Sequence, residues 1–182
     1  MKIREGQLAL DFTATDIEGR EVKLSDFKGQ KIILGFYRNV QCPFCNLRIH
    51  KIMGKTVALR NSGIKMVFLF ESSNQKLKSS VMHQGISPWP LIGNPEKDIY
   101  QKYGVEPSLF KALKTPFVAN MMGAMKEAKA LNLPEDKDAT ITLIPADFFI
   151  DENFRVVKAH YGASIDGHVP LEELFKFAGL KM

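Results

Sequence analysis

The two cysteines of this 182-residue chain stand three positions apart, at Cys42 and Cys45. They follow an apolar run from Ile32 to Tyr37 and precede a stretch in which apolar residues recur at helical spacing. Pro43, between them, suits the first position of a helix, because its missing N–H is not needed there and its φ is already helical. The pattern predicts a buried strand, a short loop and a helix that begins at the cysteine pair.

This placement favours redox chemistry at the two sulfurs. The start of a helix has unpaired N–H groups and a partial positive charge, and both stabilise a thiolate on Cys42. A thiol with a lowered pKa is a nucleophile near neutral pH. Residues three apart on a helix have Cβ atoms about 5–6 Å apart, so a small backbone adjustment allows Cys42 and Cys45 to form a disulfide.

Composition places the chain among folded globular proteins. Hydrophobic residues make up 45% of it and 13 residues are phenylalanine, which argues against a disordered chain. The net charge of +5 is scattered without a dense basic tract, so we expect no nucleic-acid partner. No apolar run approaches a membrane span and no secretory leader is recognisable, so we expect no membrane association and a cytoplasmic location. Cytoplasmic thiols are kept largely reduced, which favours a functional cysteine pair over a structural one.

Alternating strand and helix patterns predict an α/β chain with a right-handed parallel crossover. The predicted strands cover residues 9–16, 21–23, 32–37, 65–70, 89–92, 146–150 and 155–159. The predicted helices cover residues 24–29, 43–60, 73–84, 94–104 and 170–178. We interpret residues 1–182 as a single domain, in which residues 106–139 form a helical insertion because they lack strand signals.

The helix that follows the cysteines is predicted to have two different faces. Cys45 begins its apolar stripe, whereas Arg48 and Lys51 fall on a separate, charged face. Gly54 is expected to kink this helix.

Three stretches resemble the alkyl-hydroperoxide-reductase/thiol-specific-antioxidant (AhpC/TSA) family of peroxiredoxin-like proteins, within the thioredoxin superfamily. They are Asp11-Phe12-Thr13 with Leu24 to Gly29, Leu34 to Cys45, and Phe148-Phe149-Ile150-Asp151. The resemblance implies a thioredoxin-like fold, in which helices flank a central mixed sheet and an N-terminal β-hairpin precedes it. It also implies an antioxidant oxidoreductase that needs no cofactor, reduces a peroxide or a protein disulfide, and is recharged by the thioredoxin or glutathione system.

The chain departs from the peroxiredoxin pattern at three positions and matches it at a fourth. Arg38 and Cys42 replace the family's proline and threonine, Cys45 matches the peroxide-reducing cysteine, and Pro145 replaces the peroxide-activating arginine. Peroxiredoxin-like chemistry would therefore make Cys45 the attacking sulfur. Thioredoxin-like chemistry would instead make Cys42 the attacking sulfur and Cys45 the resolving one, with Pro145 matching a cis proline beside the disulfide. Arg38 either orients a thiolate or satisfies carbonyl groups at the strand end.

The same residues also allow other functions. A metal-delivery protein would use the cysteines for Zn(II) or Cu(I), although no histidine stands at ligand spacing from another. A redox-silent scaffold of the same fold would use the methionine-rich insertion to hold a partner. The insertion could equally cover the active site or form a homodimer contact. Pro145 could also be an ordinary loop proline.

Overall fold

The computed structural model describes residues 1–80, 88–113 and 139–180. Its strands are β1 (Thr13–Thr15), β2 (Glu21–Lys23), β3 (Ile32–Tyr37), β4 (Lys65–Phe70), β5 (Leu91–Gly93), β6 (Ala146–Ile150) and β7 (Val156–Tyr161). Strands β1 and β2 form an antiparallel hairpin, and the other five form one sheet in the order β5-β4-β3-β6-β7. Strand β3 pairs parallel with β4 and antiparallel with β6, so the sheet is mixed.

The helices are α1 (Pro43–Met53), α2 (Thr56–Asn61), α3 (Asn74–Lys78), α4 (Asp98–Lys102), α5 (Leu109–Leu113) and α6 (Leu171–Phe177), with a 3-10 helix at Leu24–Phe27. Apolar residues of α1, α2 and α6 pack in one core cluster with the sheet residues Ile33, Met66 and Phe68. Residues of the N-terminal hairpin and α4 pack in a second cluster. This cluster includes the sheet residues that alternate along the strands with those of the first cluster and face the other side of the sheet. Both faces of the sheet are therefore covered, which explains why β3 and β4 are apolar without alternation.

The central position of β3 determines where the cysteine pair lies. Tyr37, its last residue, is in register with Phe70 of β4, and Phe36 is in register with Ala146 of β6. The loop that leaves β3 therefore emerges between the end of β4 and the start of β6. The predicted mixed sheet with flanking helices and an N-terminal hairpin is confirmed.

Strand positions agree more closely with the sequence than helix lengths do. The predicted spans of β2, β3, β4 and β6 are confirmed residue for residue, whereas β1 is shorter than predicted and β7 extends to Tyr161. Ser73 caps α3 as predicted, but the helix ends at Lys78 rather than near residue 84. The single helix predicted from Pro43 to about Arg60 is wrong, because Gly54 and Lys55 separate α1 from α2.

Two further expectations concern the chain as a whole. Of the predicted insertion at 106–139, the structure describes residues 106–113, which include α5, and Ala139; residues 114–138 lie outside the described part. Among the described helices, none has the length and apolar character needed to cross a bilayer.

The packing of β5 against the start of α3 generates a stability prediction. A methyl group added at Gly93 would lie 2.4 Å from the Asn74 backbone nitrogen and 2.5 Å from the Ser72 carbonyl oxygen. Overpacking costs about 1–3 kcal/mol, and backbone atoms cannot rotate away, so Gly93→Ala should lower the free energy of unfolding by at least ~2 kcal/mol.

The matched control is Gly54→Ala, where the nearest atom to the new methyl group would be the Lys51 carbonyl oxygen at 3.4 Å. This change should be neutral or stabilise the protein by up to about 1 kcal/mol. Denaturant unfolding of both variants measures the difference, and equal midpoints for Gly93→Ala and the wild type would contradict the described packing.

Candidate active site

Cys42 caps the first turn of α1 with its own side chain. Its Sγ accepts a hydrogen bond from the Cys45 backbone N–H at 3.4 Å. Pro43 occupies the first helical position, as the sequence predicts. The cap is held from behind by Asn46, whose side-chain amide donates to the carbonyl oxygens of Val40 and Cys42, both at 2.8 Å.

Arg38 lies beside the same sulfur. Its Nη1 donates to Cys42 Sγ at 3.5 Å, and its Nη2 donates to the Ile141 carbonyl oxygen at 2.7 Å. The two roles weighed for this arginine are therefore combined, because one guanidinium contacts the sulfur and also anchors a carbonyl group. Arg38 is only 6% exposed, so its charge is weakly screened by solvent.

These contacts lower the pKa of the Cys42 thiol to about 7. Burial alone would raise this pKa, because it disfavours the charged form; the hydrogen bond from the Cys45 thiol and the charge of Arg38 outweigh it. A shift of this size corresponds to about 3 kcal/mol in favour of the thiolate. Cys42 is therefore partly ionised at neutral pH.

Cys45 has the opposite character. It is fully buried, and burial raises its pKa well above the usual value, as does its hydrogen bond to Cys42. Its sulfur also lies within hydrogen-bonding reach of the Arg38 backbone N–H. Both cysteines are free, so the pair consists of a sulfur poised to ionise and a neighbouring protonated thiol.

A buried cluster of polar side chains packs beneath the pair. Asp147 of β6 accepts hydrogen bonds from His168 Nδ1 at 3.0 Å and from the Val169 N–H at 2.8 Å. Arg48 of α1 approaches the same carboxylate at 3.7 Å. His168 packs against Tyr37 with ring centroids 4.5 Å apart.

The pKa values within this cluster favour one ionised and one neutral member. Burial opposes ionisation of Asp147, yet His168 and Arg48 lower the pKa of its carboxyl to about 2. Burial lowers the pKa of His168 below its ordinary value, despite the opposing effect of Asp147. Near neutral pH we therefore assign a carboxylate to Asp147 and a neutral ring to His168.

Glu71 holds the loop between β3 and α1 from the other side. Its Oε1 accepts from the Asn39 side-chain amide at 3.2 Å and from the Thr140 backbone N–H at 3.1 Å. Ser72 accepts from the Val40 N–H at 3.0 Å. The cysteine loop is thereby tied to the end of β4 and to the segment that leads into β6.

Pro145 directly precedes β6 and so lies next to the end of β3 in the sheet register. The Ile144–Pro145 peptide bond is trans, unlike the cis bond that the thioredoxin-like resemblance implies. Pro145 also lines a cavity of about 210 Å³ together with Lys2 and Lys111. Within the described residues, no three histidine, cysteine, aspartate or glutamate side chains come together to hold a metal ion, so nothing there supports the metal-delivery reading.

The sequence analysis did not assign four residues of this site to it. They are Arg48, Glu71, Asp147 and His168. Arg48 was expected on a charged face separate from the apolar stripe, and the structure shows that its side chain is only 9% exposed. Asp147 did carry a signal, since it is the one charged residue in the apolar run from Ala146 to Ile150. Arg48 lies three positions after Cys45, which could have placed it on the same side of the helix.

The contact between Arg38 and Cys42 generates a prediction for thiol reactivity. The rate of alkylation of Cys42 by iodoacetamide should rise with pH around a midpoint of about 7. Arg38→Met removes a cation that favours the thiolate, so the midpoint should move up by about one unit or more. Mass spectrometry locates the alkylated residue, Lys28→Met supplies an exposed control, and an unchanged midpoint in Arg38→Met would refute the role of this charge.

The neutral state of His168 generates a prediction for pH dependence. Unfolding exposes a histidine of ordinary pKa, about 6.5, which then binds a proton that the folded protein excludes. The free energy of unfolding should therefore fall as the pH is lowered from 7 to 5, and the fall should be smaller in His168→Gln. Denaturant titrations at both pH values measure it. His50, which is exposed, supplies the control variant His50→Gln, and an identical pH slope in wild type and His168→Gln would count against the assignment.

The chain is similar to known proteins over most of its length. Rv2521 of Mycobacterium tuberculosis, which carries a provisional peroxiredoxin name, is 21% identical over 168 residues, or 92% of this chain and 91% of the relative. Peroxiredoxin Bcp of Escherichia coli is 22% identical over 103 residues, or 57% of this chain and 65% of the relative. The crystal structure of a peroxiredoxin-like protein from Aquifex aeolicus superposes with a TM-score of 0.69 at 13% identity, covering 98% of this chain and 88% of that one.

The similarity to the Aquifex aeolicus structure supports the fold alone, because the sequence identity is low. The family model describing the AhpC/TSA family matches residues 6–159 of the present chain. That span contains the hairpin, both cysteines, Arg38 and most of the sheet. The chain belongs to the AhpC/TSA family.

Proposed function

We propose that this protein is a thiol oxidoreductase that reduces disulfides or peroxides through a dithiol/disulfide cycle of Cys42 and Cys45. The observation that carries the proposal is the pair of contacts at Cys42 Sγ, which receives the Cys45 backbone N–H and the Arg38 guanidinium. Cys42 has a pKa of about 7 beside Arg38, while the pKa of Cys45 is raised well above its ordinary value. One sulfur is thus suited to attack and its neighbour to stay protonated until it is needed.

In the disulfide reaction, the Cys42 thiolate attacks one sulfur of the substrate disulfide. The substrate S–S bond breaks, a Cys42–substrate disulfide forms, and the first substrate thiolate leaves and takes a proton from water. Cys45 then attacks Cys42 Sγ, the mixed disulfide breaks, and the second substrate thiolate leaves with the proton that Cys45 gives up. The protein ends with a Cys42–Cys45 disulfide, and two electrons from a cellular thiol system restore both thiols.

In the peroxide reaction, the Cys42 thiolate attacks one peroxide oxygen and the O–O bond breaks. The leaving hydroxide or alkoxide takes a proton from solvent, so the products are a sulfenic acid on Cys42 and water or an alcohol. Cys45 condenses with the sulfenic acid, its thiol proton leaves with the hydroxyl group as water, and the same disulfide results. Arg38 supplies positive charge at the reacting sulfur, where Pro145 offers no counterpart to the family's arginine.

Both reactions give the attacking role to Cys42. The peroxiredoxin pattern assigns it to Cys45 instead, but a fully buried thiol with a raised pKa is a poor nucleophile at neutral pH. Cys42 is 3% exposed and takes the place of the family's threonine. We therefore infer that this chain moves the attacking sulfur from the second position of the motif to the first.

Two serine variants test the assignment of roles. Cys42→Ser should lose reaction with both hydrogen peroxide and an aromatic disulfide, because it removes the ionised sulfur. Cys45→Ser should still react once, and should stop as a stable mixed disulfide or sulfenic acid on Cys42. Single-turnover thiol titration with mass spectrometry distinguishes the products.

The opposite result has a clear meaning. If Cys42→Ser consumes one equivalent of peroxide and Cys45→Ser does not, the attacking sulfur is Cys45 and our assignment fails. In the wild type, the ratio of the first-turnover rates with peroxide and with disulfide indicates which substrate class the site favours.

A further inference from the structure

Arg48 lies one helical turn after Cys45 on α1. Residues three apart on a helix are neighbours on its surface, and helical side chains lean toward the N-terminus. The Arg48 side chain therefore extends back over the turn that carries Cys45. Its side chain is 9% exposed, so the guanidinium is a buried charge.

The hydrogen bonds of this guanidinium are incomplete. Nη1 donates to the Val169 carbonyl oxygen at 2.6 Å. Nη2 is 3.7 Å from Asp147, which is too long for a hydrogen bond. Within the described residues, Nε and Nη2 are buried and have no acceptor at hydrogen-bonding distance, although the Tyr37 side chain is a neighbouring polar group that interacts with Arg48. Burying N–H groups of a charged side chain without hydrogen bonds costs free energy. An acceptor that forms during the reaction would recover part of that cost.

The charges around the site show which acceptor could appear. Asp147 is already engaged by His168 and Val169, and it gives Arg48 only a long contact. Glu71 engages Asn39 and Thr140 on the other side of the loop. The group closest along the helix that can gain negative charge during the proposed reaction is Cys45, and the charges of Cys45 and Arg48 interact.

We propose that Arg48 is a positioning residue that stabilises the negative charge developing on Cys45 when this sulfur resolves the Cys42 intermediate, while Asp147 restrains Arg48. The inference rests on the proposed function. Arg38 serves the attack by Cys42 and also acts on Cys45, and Arg48 adds a second cation for the resolving step. The second step needs this help because Cys45 is fully buried and cannot be stabilised by water.

The step is balanced without a further reactant. The Cys45 S–H bond breaks, the Cys42–Cys45 bond forms, and the Cys42–substrate sulfur bond breaks. The proton that Cys45 releases leaves with the departing substrate thiolate. Arg48 remains a cation throughout and lowers the barrier by placing positive charge beside the sulfur as its proton departs.

The test follows the two steps separately, with less than one equivalent of 5,5′-dithiobis(2-nitrobenzoic acid) added to the reduced protein. The first release of the coloured thiolate reports attack by Cys42, and the second reports resolution by Cys45. Arg48→Met should slow the second release about tenfold or more, since it removes a buried cation one helical turn from the resolving sulfur. Arg48→Lys should recover part of the rate, because it keeps the charge but loses the planar fork.

Lys51→Met is the matched control, because it removes an exposed cation from the same helix. It should leave the second release within about twofold of the wild type. If the wild type shows no second release, the proposed function fails. If it shows both releases and Arg48→Met resolves at the wild-type rate, or Arg48→Lys recovers none of the rate that Arg48→Met loses, the function stands and the role of Arg48 is overturned.

A direct readout of the Cys45 thiol separates an electrostatic role from a packing role. Cys42→Ser leaves Cys45 as the only thiol, and the ¹³Cβ chemical shift of labelled cysteine reports its ionisation. Adding Arg48→Met should raise the pKa, whereas adding Asp147→Asn should lower it, because the second change frees Arg48 from its restraint. The proposal is overturned if the two changes shift the Cys45 pKa in the same direction, or if neither double variant that folds shifts it. Arg48→Lys replaces Arg48→Met if the latter does not fold.

Discussion

The site depends on a sulfur used as a helix cap. Cys42 Sγ receives the Cys45 backbone N–H that an oxygen of serine or aspartate would ordinarily receive at this position. The same sulfur receives the guanidinium of Arg38. A thiolate is a better acceptor than a thiol, so the contacts that begin α1 also favour ionisation of Cys42. The same interactions therefore begin the helix and favour the thiolate that we propose as the nucleophile.

The surrounding structure keeps this cap in place. Asn46 secures the carbonyl oxygens of Val40 and Cys42, and Glu71 secures the loop before them. Arg38 reaches across to the Ile141 carbonyl oxygen, so the cation beside Cys42 is anchored to the segment that leads into β6. A mobile arginine would lose side-chain entropy each time it met the sulfur, whereas an anchored one is already in position.

The sequence predicted the strands and the start of α1 well for physical reasons. Strands β3 and β4 are covered on both faces, so their apolar runs have sharp ends. Pro43 marks the first helical residue with little ambiguity. Helix ends were harder, because the break at Gly54 depends on local backbone geometry and tertiary packing that a periodic pattern does not record.

The buried polar cluster could not be assembled from the sequence. Arg48, Asp147 and His168 come from a helix, a strand and a loop that are far apart along the chain, and only the sheet register brings them together. A charged residue is normally read as exposed, since burying it is costly without partners. The partners become visible only in three dimensions, so the helical pattern gave no sign that the Arg48 side chain is buried.

The central claim is that Cys42 and Cys45 form one reversible redox pair within a single chain. The most direct measurement is to treat the reduced wild-type protein with one equivalent of hydrogen peroxide or an aromatic disulfide, count the remaining thiols, and map the disulfide by peptide mass spectrometry. The account predicts that both thiols are lost together and that a Cys42–Cys45 bond forms within one chain and is reversed by dithiothreitol. Retention of one thiol, or a disulfide only between chains, would contradict it.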